Sequence, residues 1–294
     1  MNFKKRAFLF GSLSGIFWGL DYTLAGQVHT LLTMTFLVSM WLTSIHDLGV
    51  AATVSVVSKS SVKKVKDLKL WQIISICCIP LLGGLAMTMY MLSTRDISTG
   101  TAIIISSCYP AVGMIGARIF LKESLTPLKI LGFIIVLIGI TLTAYSELFD
   151  QANSIIGLSF AILAAVFWGL EGVIYKMVLN ADVSANTLLF LRKISTIIIF
   201  LPFTWIIIDT VSIYVLLLIA AIGVIGYIAD LAYMQAFKYS NVTLAMSLNI
   251  TYIIWGPLFA FMLFDQSISI LLLIACAILI FIGNYLIFKS KSVY

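Results

Sequence analysis

The chain has 294 residues, of which 62% are hydrophobic and 10% charged, with a formal net charge of +6 and a mean hydropathy of +1.12. Soluble domains carry about 25% charged residues, and so few charges cannot cover a water-facing surface. The composition therefore excludes a soluble enzyme, a nucleic-acid-binding protein and a disordered chain. It predicts an all-α protein that crosses the lipid bilayer several times.

Short polar segments divide the chain into ten apolar stretches. Each is close to the length of about 20 residues that a membrane-spanning helix needs. We predict transmembrane helices at residues 7–28, 32–57, 70–94, 98–121, 125–147, 155–179, 185–208, 212–237, 241–264 and 267–288. The second stretch is the least apolar, because it contains Ser39, Thr43, Ser44, His46 and Asp47.

The basic residues predict the orientation of these helices. Most lie in the termini and the loops of one side: Lys4, Lys5, Arg6, Lys59, Lys63, Lys64, Lys66, Lys69, Lys122, Lys129, Lys238, Lys289 and Lys291. The loops of the other side hold one basic residue and five acids: Arg95, Asp96, Glu147, Asp150, Asp209 and Asp265. Because cytoplasmic loops are enriched in Lys and Arg, both termini are predicted to be cytoplasmic.

Short segments recur along the chain. The sequence FWGLD at residues 17–21 returns as FWGLE at 167–171, an offset of 150. At an offset of 143, Tyr90, Tyr109 and Gly113 correspond to Tyr233, Tyr252 and Gly256. The recurrence argues against a signal peptide at the N-terminus. It predicts two five-helix halves, at residues 1–147 and 155–294, and an odd number of helices makes the second half inverted. Inverted repeats are typical of transporters whose substrate lies near the midplane.

Charged side chains within membrane-spanning helices cost about 2.5–3.5 kcal/mol each and usually mark a transport pathway. Those in the predicted helices are Asp21, His46, Asp47, Arg118, Glu171, Lys176, Arg192, Lys193 and Asp230. Arg118 and Lys176 lie near predicted cytoplasmic helix ends, where a long side chain can extend to the interface. For Arg192 and Lys193 the sequence leaves a structural and a functional role equally open.

Glu171 and Asp21 occupy matching positions of the repeat, each just after a Trp-Gly pair. Helical spacing places Trp168 and Tyr175 on the face of Glu171. It groups Trp18, Asp21 and Tyr22 in the same way. We interpret the two acids as a counter-charge for a substrate or as a proton-coupling site. The alternative is a packing hydrogen bond, or an ion pair of Glu171 with Arg192.

His46 and Asp47 are adjacent in the second predicted helix, with Ser39 and Thr43 on the helical face of His46. This group is a candidate proton relay or gate, although a satisfied hydrogen-bonded pair between helices explains it nearly as well. Asp230 and Arg192 are further candidates for coupling or gating.

Aromatic residues recur on the first, third and fourth helices of both halves: Trp18, Tyr90, Tyr109, Trp168, Tyr233, Tyr252 and Trp255. Most lie well inside their helices, whereas interfacial Trp and Tyr lie at headgroup depth. Single buried aromatics are usually packing residues, but aromatic faces with a nearby carboxylate suit an organic cation. The sequence contains no nucleotide-binding loop, metalloprotease motif or nucleophile elbow. We therefore predict no cofactor, metal site, catalytic residue or nucleic-acid partner.

Residues 109–126, from Tyr109-Pro110 to Leu121-Lys122-Glu123-Ser124-Leu125-Thr126, and then Gly132 and Gly139 complete a family pattern. Together with the inverted repeat, they resemble the EamA-like branch of the drug/metabolite transporter superfamily. The resemblance covers essentially the whole chain. It implies ten transmembrane helices and alternating access, in a protein of the bacterial cytoplasmic membrane.

A narrower resemblance rests on five segments, at residues 14–19, 46–47, 168–171, 231–233 and 249–255. Together they are similar to the bacterial choline permeases of Lic-type operons. This likeness implies proton-coupled import of choline. It also implies a substrate cavity formed by Trp18, Tyr90, Trp168, Glu171, Tyr233, Tyr252 and Trp255. We predict Tyr109 and Asn249 as two further binding residues. Asp21, Tyr22 and Asp230 depart from that pattern and leave a related amine or a betaine open.

Three other functions remain open from the sequence. The chain could export amino acids, metabolites or drugs, could be a membrane scaffold that transports nothing, or, more remotely, could be an intramembrane enzyme. The sequence also leaves a monomer and a homodimer open. The expected partners are an organic cation, protons and the lipid bilayer.

Overall fold

A computed structural model describes residues 3–29, 36–58, 68–143, 154–200 and 212–290. Its regular elements are α1 (Phe3–His29), α2 (Phe36–Val57), α3 (Leu70–Asp96), α4 (Thr99–Ser106), α5 (Tyr109–Phe120), α6 (Pro127–Thr143), α7 (Ile155–Asn180), α8 (Ala185–Phe200), α9 (Ile213–Tyr239), α10 (Val242–Asn249), α11 (Tyr252–Phe264) and α12 (Ile270–Lys289). The all-α prediction is therefore confirmed across these ranges. Several loop charges used for the orientation lie outside them, among them Lys63, Glu147 and Asp209.

Six helical stretches of the described chain are long and apolar enough to cross a membrane. They are Leu70–Asp96, Thr101–Phe120, Ile155–Asn180, Ile213–Tyr239, Val242–Phe264 and Ile270–Lys289. Ser44–Val57 and Pro127–Leu142 are shorter apolar helices. The fold is that of a multi-pass membrane protein.

Two of the predicted transmembrane helices are broken in the middle. The predicted helix at 98–121 consists of α4 and α5, and that at 241–264 consists of α10 and α11. Pro110 lies in the first turn of α5, where its missing N–H breaks the hydrogen-bond ladder of α4 without leaving a donor unsatisfied. The second break has no proline, because Pro257 lies within α11.

The two breaks have the same backbone hydrogen bonds at an offset of 143 residues. The N–H of Cys108 donates to the carbonyl of Ile105 at 3.0 Å, and that of Thr251 donates to Leu248 at 3.2 Å. One turn later, Ala111 donates to Cys108 and Ile254 to Thr251, both at 2.9 Å. The N-caps also correspond, since Ser98 caps α4 and Asn241 caps α10. The repeat seen in the aromatic residues is thus present in the backbone.

The packing of the helices follows the same relation. The first helix of each half packs along the third helix of the other, α1 against α9 and α7 against α3. Likewise α1 contacts α11 and α7 contacts α5, while α2 packs against α8 and α6 against α12. The main hydrophobic core lies among α3 and α5 to α12.

Glycines of the Trp-Gly pairs permit two equivalent close approaches. A Cβ atom added to Gly19 would lie 2.6 Å from Cβ of Trp255, and one added to Gly169 would lie 2.5 Å from Cβ of Val112. Positions 112 and 255 are again 143 apart. The glycine of each Trp-Gly pair therefore lets the broken helix of the other half pack closely against the first helix of its own half.

Candidate functional site

A cavity of about 110 Å³ lies between the two halves. A water molecule needs roughly 10–15 Å³ of such space, so the cavity suits a small ligand and not a drug-sized one. Its lining comes from α1, α5 and α7 to α11: Trp18, Tyr22, Tyr109, Trp168, Glu171, Tyr175, Arg192, Asp230, Tyr233, Asn249 and Tyr252.

Aromatic rings form most of the wall. Trp18 and Tyr22 stack with ring centroids 5.0 Å apart, and Tyr22 meets Tyr252 edge to face at 5.5 Å. On the other side, Tyr109 meets Trp168 edge to face at 6.4 Å. Since both halves contribute rings, the apolar surface of the cavity is shared between them.

Seven of the nine predicted binding residues line the cavity: Trp18, Tyr109, Trp168, Glu171, Tyr233, Asn249 and Tyr252. Tyr90 is not a lining residue, although its ring centroid lies 5.9 Å from that of Trp168. Trp255 also lies outside the lining; its Cβ packs on Gly19 and its ring is 6.4 Å from Phe259.

Tyr22 and Tyr175 line the cavity but were not assigned to it from the sequence. The available signal was helical spacing, which grouped Tyr22 with Trp18 and Tyr175 with Trp168. Tyr22 is 46% exposed, whereas Tyr175 is buried. The hydroxyl of Tyr175 is also committed, because it donates to Oε1 of Glu171 at 2.5 Å.

Glu171 lies beside the cavity and also pairs with a base. Nη2 of Arg192 is 3.0 Å from Oε1 of Glu171. The guanidinium also stacks 5.4 Å above the ring centroid of Tyr175, and its Nη1 lies 3.4 Å from Oδ1 of Asp230. The ion pair considered from the sequence is therefore present, with open space on its other side.

Lys193 is 2% exposed and lies within the helix bundle. Its ammonium group is 2.5 Å from Oδ1 of Asp47 and 2.7 Å from Oδ2 of Asp230. It thus joins α2 and α9 to α8. Because burying an ion pair removes both groups from water, such a charge needs partners of this kind to be tolerated.

His46 links two further acids to this network. Its Nε2 lies 2.9 Å from Oδ2 of Asp21, and its Nδ1 lies 3.4 Å from Oδ1 of Asp47. The side chains of Ser39 and Thr43, which were grouped with His46, lie outside the described part of the chain.

These contacts form one continuous polar network, in the order Asp21, His46, Asp47, Lys193, Asp230, Arg192 and Glu171. It contains four carboxyl groups and two permanent cations. With the four carboxyl groups ionised and the imidazole neutral, it carries two surplus negative charges. A net negative charge beside a cavity favours the binding of a positively charged ligand.

Asn249 lines the cavity at the end of α10, but both ends of its amide have protein partners. Its Nδ2 donates to Oγ of Ser14 at 3.1 Å, and the hydroxyl of Tyr109 donates to its Oδ1 at 3.1 Å. The side chain therefore fixes α1 and α5 to the break between α10 and α11.

The prediction that Lys176 extends to the interface is wrong. Lys176 is 5% exposed, and its Nζ donates to the carbonyl of Phe237 at 2.7 Å. A carbonyl on the neighbouring helix therefore replaces water, which the sequence near Lys176 does not reveal. Arg118 is exposed, and its extension to the interface stays a prediction.

Comparison with known proteins gives a family and two relatives. The model described as the EamA-like transporter family matches residues 5–145 and again residues 155–289. The chain is 27% identical over 284 residues to Protein LicB of Haemophilus influenzae, which covers 90% of this chain and 91% of that protein. It is 32% identical over 135 residues to an uncharacterized transporter of Archaeoglobus fulgidus, covering 44% and 47% of the two chains.

The crystal structure of one other protein superposes on this chain with a TM-score of 0.74. The match covers 95% of this chain and 94% of that one, with 17% sequence identity. At this identity the likeness concerns the fold alone.

Proposed function

The chain belongs to the EamA-like transporter family, and from this premise we propose that it imports choline or a related quaternary ammonium compound by alternating access. In this proposal, two inverted five-helix halves, residues 1–147 and 155–294, provide ten membrane-spanning segments. Both termini lie in the cytoplasm, and the protein resides in a bacterial-type cytoplasmic membrane.

The observation that carries the proposal is the aromatic cavity beside a network with two surplus carboxylates. A quaternary ammonium ion has no N–H to donate, so it gains little from hydrogen-bond acceptors. It is attracted instead to the faces of aromatic rings, and most strongly where water is excluded. The resemblance to choline permeases seen in the sequence points to the same class of ligand.

The charges that line the cavity favour a plain cation over a zwitterion such as betaine. Arg192 is the one basic side chain among the described lining residues. Its guanidinium is already engaged by Glu171 and Asp230. A substrate carboxylate would therefore meet acids and tyrosines and no free base.

Import of a permanent cation does not need a second energy source. A monovalent cation entering a negative-inside cell gains about 2.3 kcal/mol per 100 mV of membrane potential. The buried acids could also couple the transport to protons. The proposal therefore includes the membrane potential, the proton gradient, or both, as the driving force.

Two equivalent loops support alternating access. Lys122 and Asp265 have left-handed backbones with φ of 57° and 52°, 143 residues apart. The next residues also match, since the N–H of Glu123 donates to Ala117 and that of Gln266 donates to Ala260. The carboxylate of Glu123, however, accepts from the N–H of Val242 at 3.1 Å and so caps α10. Its equivalent Gln266 is exposed, so only one of these loops is docked.

Equivalent segments of the two broken helices also differ in how deeply they are buried. All residues of α10 are buried, whereas α4, its equivalent, is only partly so. Six residues of α5 are buried, but only Ile253 and Ile254 of α11. The end of the bundle that contains α5 and α10 is thus tightly packed, and the end that contains α4 and α11 is looser. Such a difference between equivalent elements is what a transporter open toward one side requires.

Burial raises the pKa of the Glu123 carboxyl, while the hydrogen bond from the N–H of Val242 lowers it and so favours the ionised cap. We expect Glu123→Ala to loosen the packed side, because loss of a helix cap costs about 0.5–2 kcal/mol. In a Thr243→Cys background, labelling by a membrane-impermeant thiol reagent should become about 2- to 30-fold faster, since Thr243 is 1% exposed.

Gln266→Ala provides the matched control, because Gln266 lies in the equivalent loop and is exposed. It should leave the labelling rate of the introduced cysteine unchanged. The chain without this cysteine gives the background rate of the native thiols. An unchanged rate in Glu123→Ala would show that the contact of Glu123 with α10 does not hold this side of the bundle closed.

We expect Glu171→Gln to weaken binding of choline by about tenfold, because it removes one of the two surplus negative charges beside the cavity. The amide can still accept from Tyr175, so the local geometry is kept. Fluorescence titration of the purified variant measures the change, and its unfolding temperature shows whether it remains folded. An affinity equal to that of the wild type would exclude a counter-charge role for Glu171.

The substrate is tested by calorimetric titration of the purified protein with choline, betaine and carnitine. The proposal expects choline to bind most tightly. No binding of any of the three at millimolar concentration would remove the substrate assignment. Substrate-dependent efflux from loaded vesicles, without competition by choline, would instead favour the exporter of amino acids, metabolites or drugs.

A further inference from the structure

Each half of the bundle pairs an acid on its first helix with a base on its second helix. In the second half, Glu171 of α7 pairs with Arg192 of α8 at 3.0 Å. In the first half, Asp21 of α1 pairs with His46 of α2 at 2.9 Å. The arginine is always charged, whereas a histidine changes its charge near neutral pH. Only one of the two equivalent pairs can therefore gain or lose a proton readily.

The third helix of the opposite half makes room for each pair with a glycine. A Cβ atom on Gly83 would lie 3.0 Å from Oε1 of Glu171. One on Gly226, which is 143 residues later, would lie 2.9 Å from Oδ2 of Asp21 and 2.5 Å from Cε1 of His46. The two pairs thus occupy equivalent places in the bundle, and the pair of Glu171 and Arg192 lines the cavity.

Charged groups from three helices lie beside His46. Its imidazole contacts Asp21 on α1 and Asp47 on α2, and Lys193 on α8 binds the same Oδ1 of Asp47. Asp230 on α9, Arg192 on α8 and Glu171 on α7 lie further along the network. Three of the four carboxylates are bridged by Arg192 or Lys193. The ion pair of Asp21 is instead with His46. The charge of this pair is therefore set by the imidazole proton.

Asp21 is also next to the cavity wall. Trp18, one turn earlier, and Tyr22, the following residue, both line the cavity and stack on each other. A proton on the pair reduces the negative surplus of the network from two charges to one. A cation in the cavity and an imidazolium on His46 would then repel each other and share the same carboxylates.

We propose that protonation of the Asp21–His46 pair and binding of a cation in the cavity oppose each other, so that the protein releases a proton when a quaternary ammonium ion binds. The inference rests on the proposed function and extends it. The coupling is reciprocal, since a proton that weakens cation binding is itself expelled by the cation.

One consequence concerns the driving force. A proton that leaves when the cation binds cannot cross the membrane together with it. The pair itself therefore carries no symported proton, and import that depends on this pair alone is driven by the membrane potential. Acidification therefore weakens binding of the cation. An inward proton gradient would favour entry of protons in exchange for export of the cation.

The test is a choline titration of the purified full-length protein between pH 6 and 8. Titration calorimetry in two buffers of different ionisation enthalpy also counts the protons released. We expect affinity to be at least about fivefold weaker at the acidic end, within the range of typical couplings, with a net release of protons on binding. His46→Gln should abolish both the pH dependence and the proton release while keeping choline binding.

Two further variants act on the same pair without removing the histidine. Asp21→Asn removes its partner, and Gly226→Ala places a methyl group against both side chains. Each should flatten the pH profile. His29→Gln is the matched control, because it changes the other of the two histidines of the chain, and it should keep the wild-type pH profile.

The outcomes separate this inference from the function on which it rests. Choline binding that is independent of pH, or that strengthens on acidification, would overturn the inference and leave the substrate assignment intact. The same holds for His46→Gln with an unchanged profile. Absence of choline binding at every pH would overturn the proposed function and the inference together.

Discussion

Replacement of Trp168 by alanine is expected to weaken choline binding by about 5- to 30-fold, or about 1–2 kcal/mol for a desolvated cation–π contact. Trp168 lines the cavity, where its ring lies against that of Tyr109. Trp168→Phe retains an aromatic face and should lose less affinity. Titration calorimetry of the three proteins measures the order, and an alanine variant with normal affinity would make Trp168 a packing residue.

Trp255 provides the comparison for this experiment. The sequence assigned Trp255 to the same aromatic site, but it is not a lining residue and packs against Gly19 and Phe259. Trp255→Ala should therefore reduce affinity less than Trp168→Ala does. Equal losses in both variants would show that the tryptophans act through the packing of the helices and not through contact with the ligand.

The largest effect on stability is expected for Lys193→Met. Removal of one partner from a buried ion pair typically costs about 3–5 kcal/mol, because the remaining charge is left without compensation. Here the ammonium group holds both Asp47 and Asp230, so α2 loses its ionic link to α8, and α9 keeps only the contact of Asp230 with Arg192. Thermal unfolding of the purified variant in detergent should show a strongly lowered midpoint.

A second substitution distinguishes lost charge compensation from lost packing. Asp47→Asn in the Lys193→Met background neutralises one of the two carboxylates that lost the ammonium group. It should recover part of the lost thermal stability. Asp47→Asn alone should be destabilising. A double variant no more stable than Lys193→Met would show that the charge of Asp47 is not the source of the loss.

Much of the fold could be predicted from composition and hydropathy, because the bilayer requires long apolar helices. The mid-membrane breaks could not. Pro110 signals the first break, but the second has no proline and depends on the turn around Thr251. The clue to it was indirect, in the correspondence of Tyr109 with Tyr252. The repeat thus allows the break in the second half to be inferred from the first half, where a proline marks the equivalent position.

The cavity residues that could be predicted were those of a type that is rare within membrane helices. Glu171 and the mid-helix aromatics stood out, because acids and interior tryptophans are rare within membrane helices. The role of Lys193 was not predictable, because its partners Asp47 and Asp230 are distant in sequence and only the helix packing brings them together. Tyr90 and Trp255 remain predicted binding residues whose present contacts are with other side chains.

The central claim is tested most directly by comparing choline with its neutral isostere, in which a quaternary carbon replaces the nitrogen. The two molecules have nearly the same shape, so only the charge differs. Titration calorimetry of the purified protein should show binding of choline and at least about tenfold weaker binding of the isostere, as expected for cation–π and carboxylate attraction. Equal affinity for both, or binding of neither, would contradict a cavity built for an organic cation.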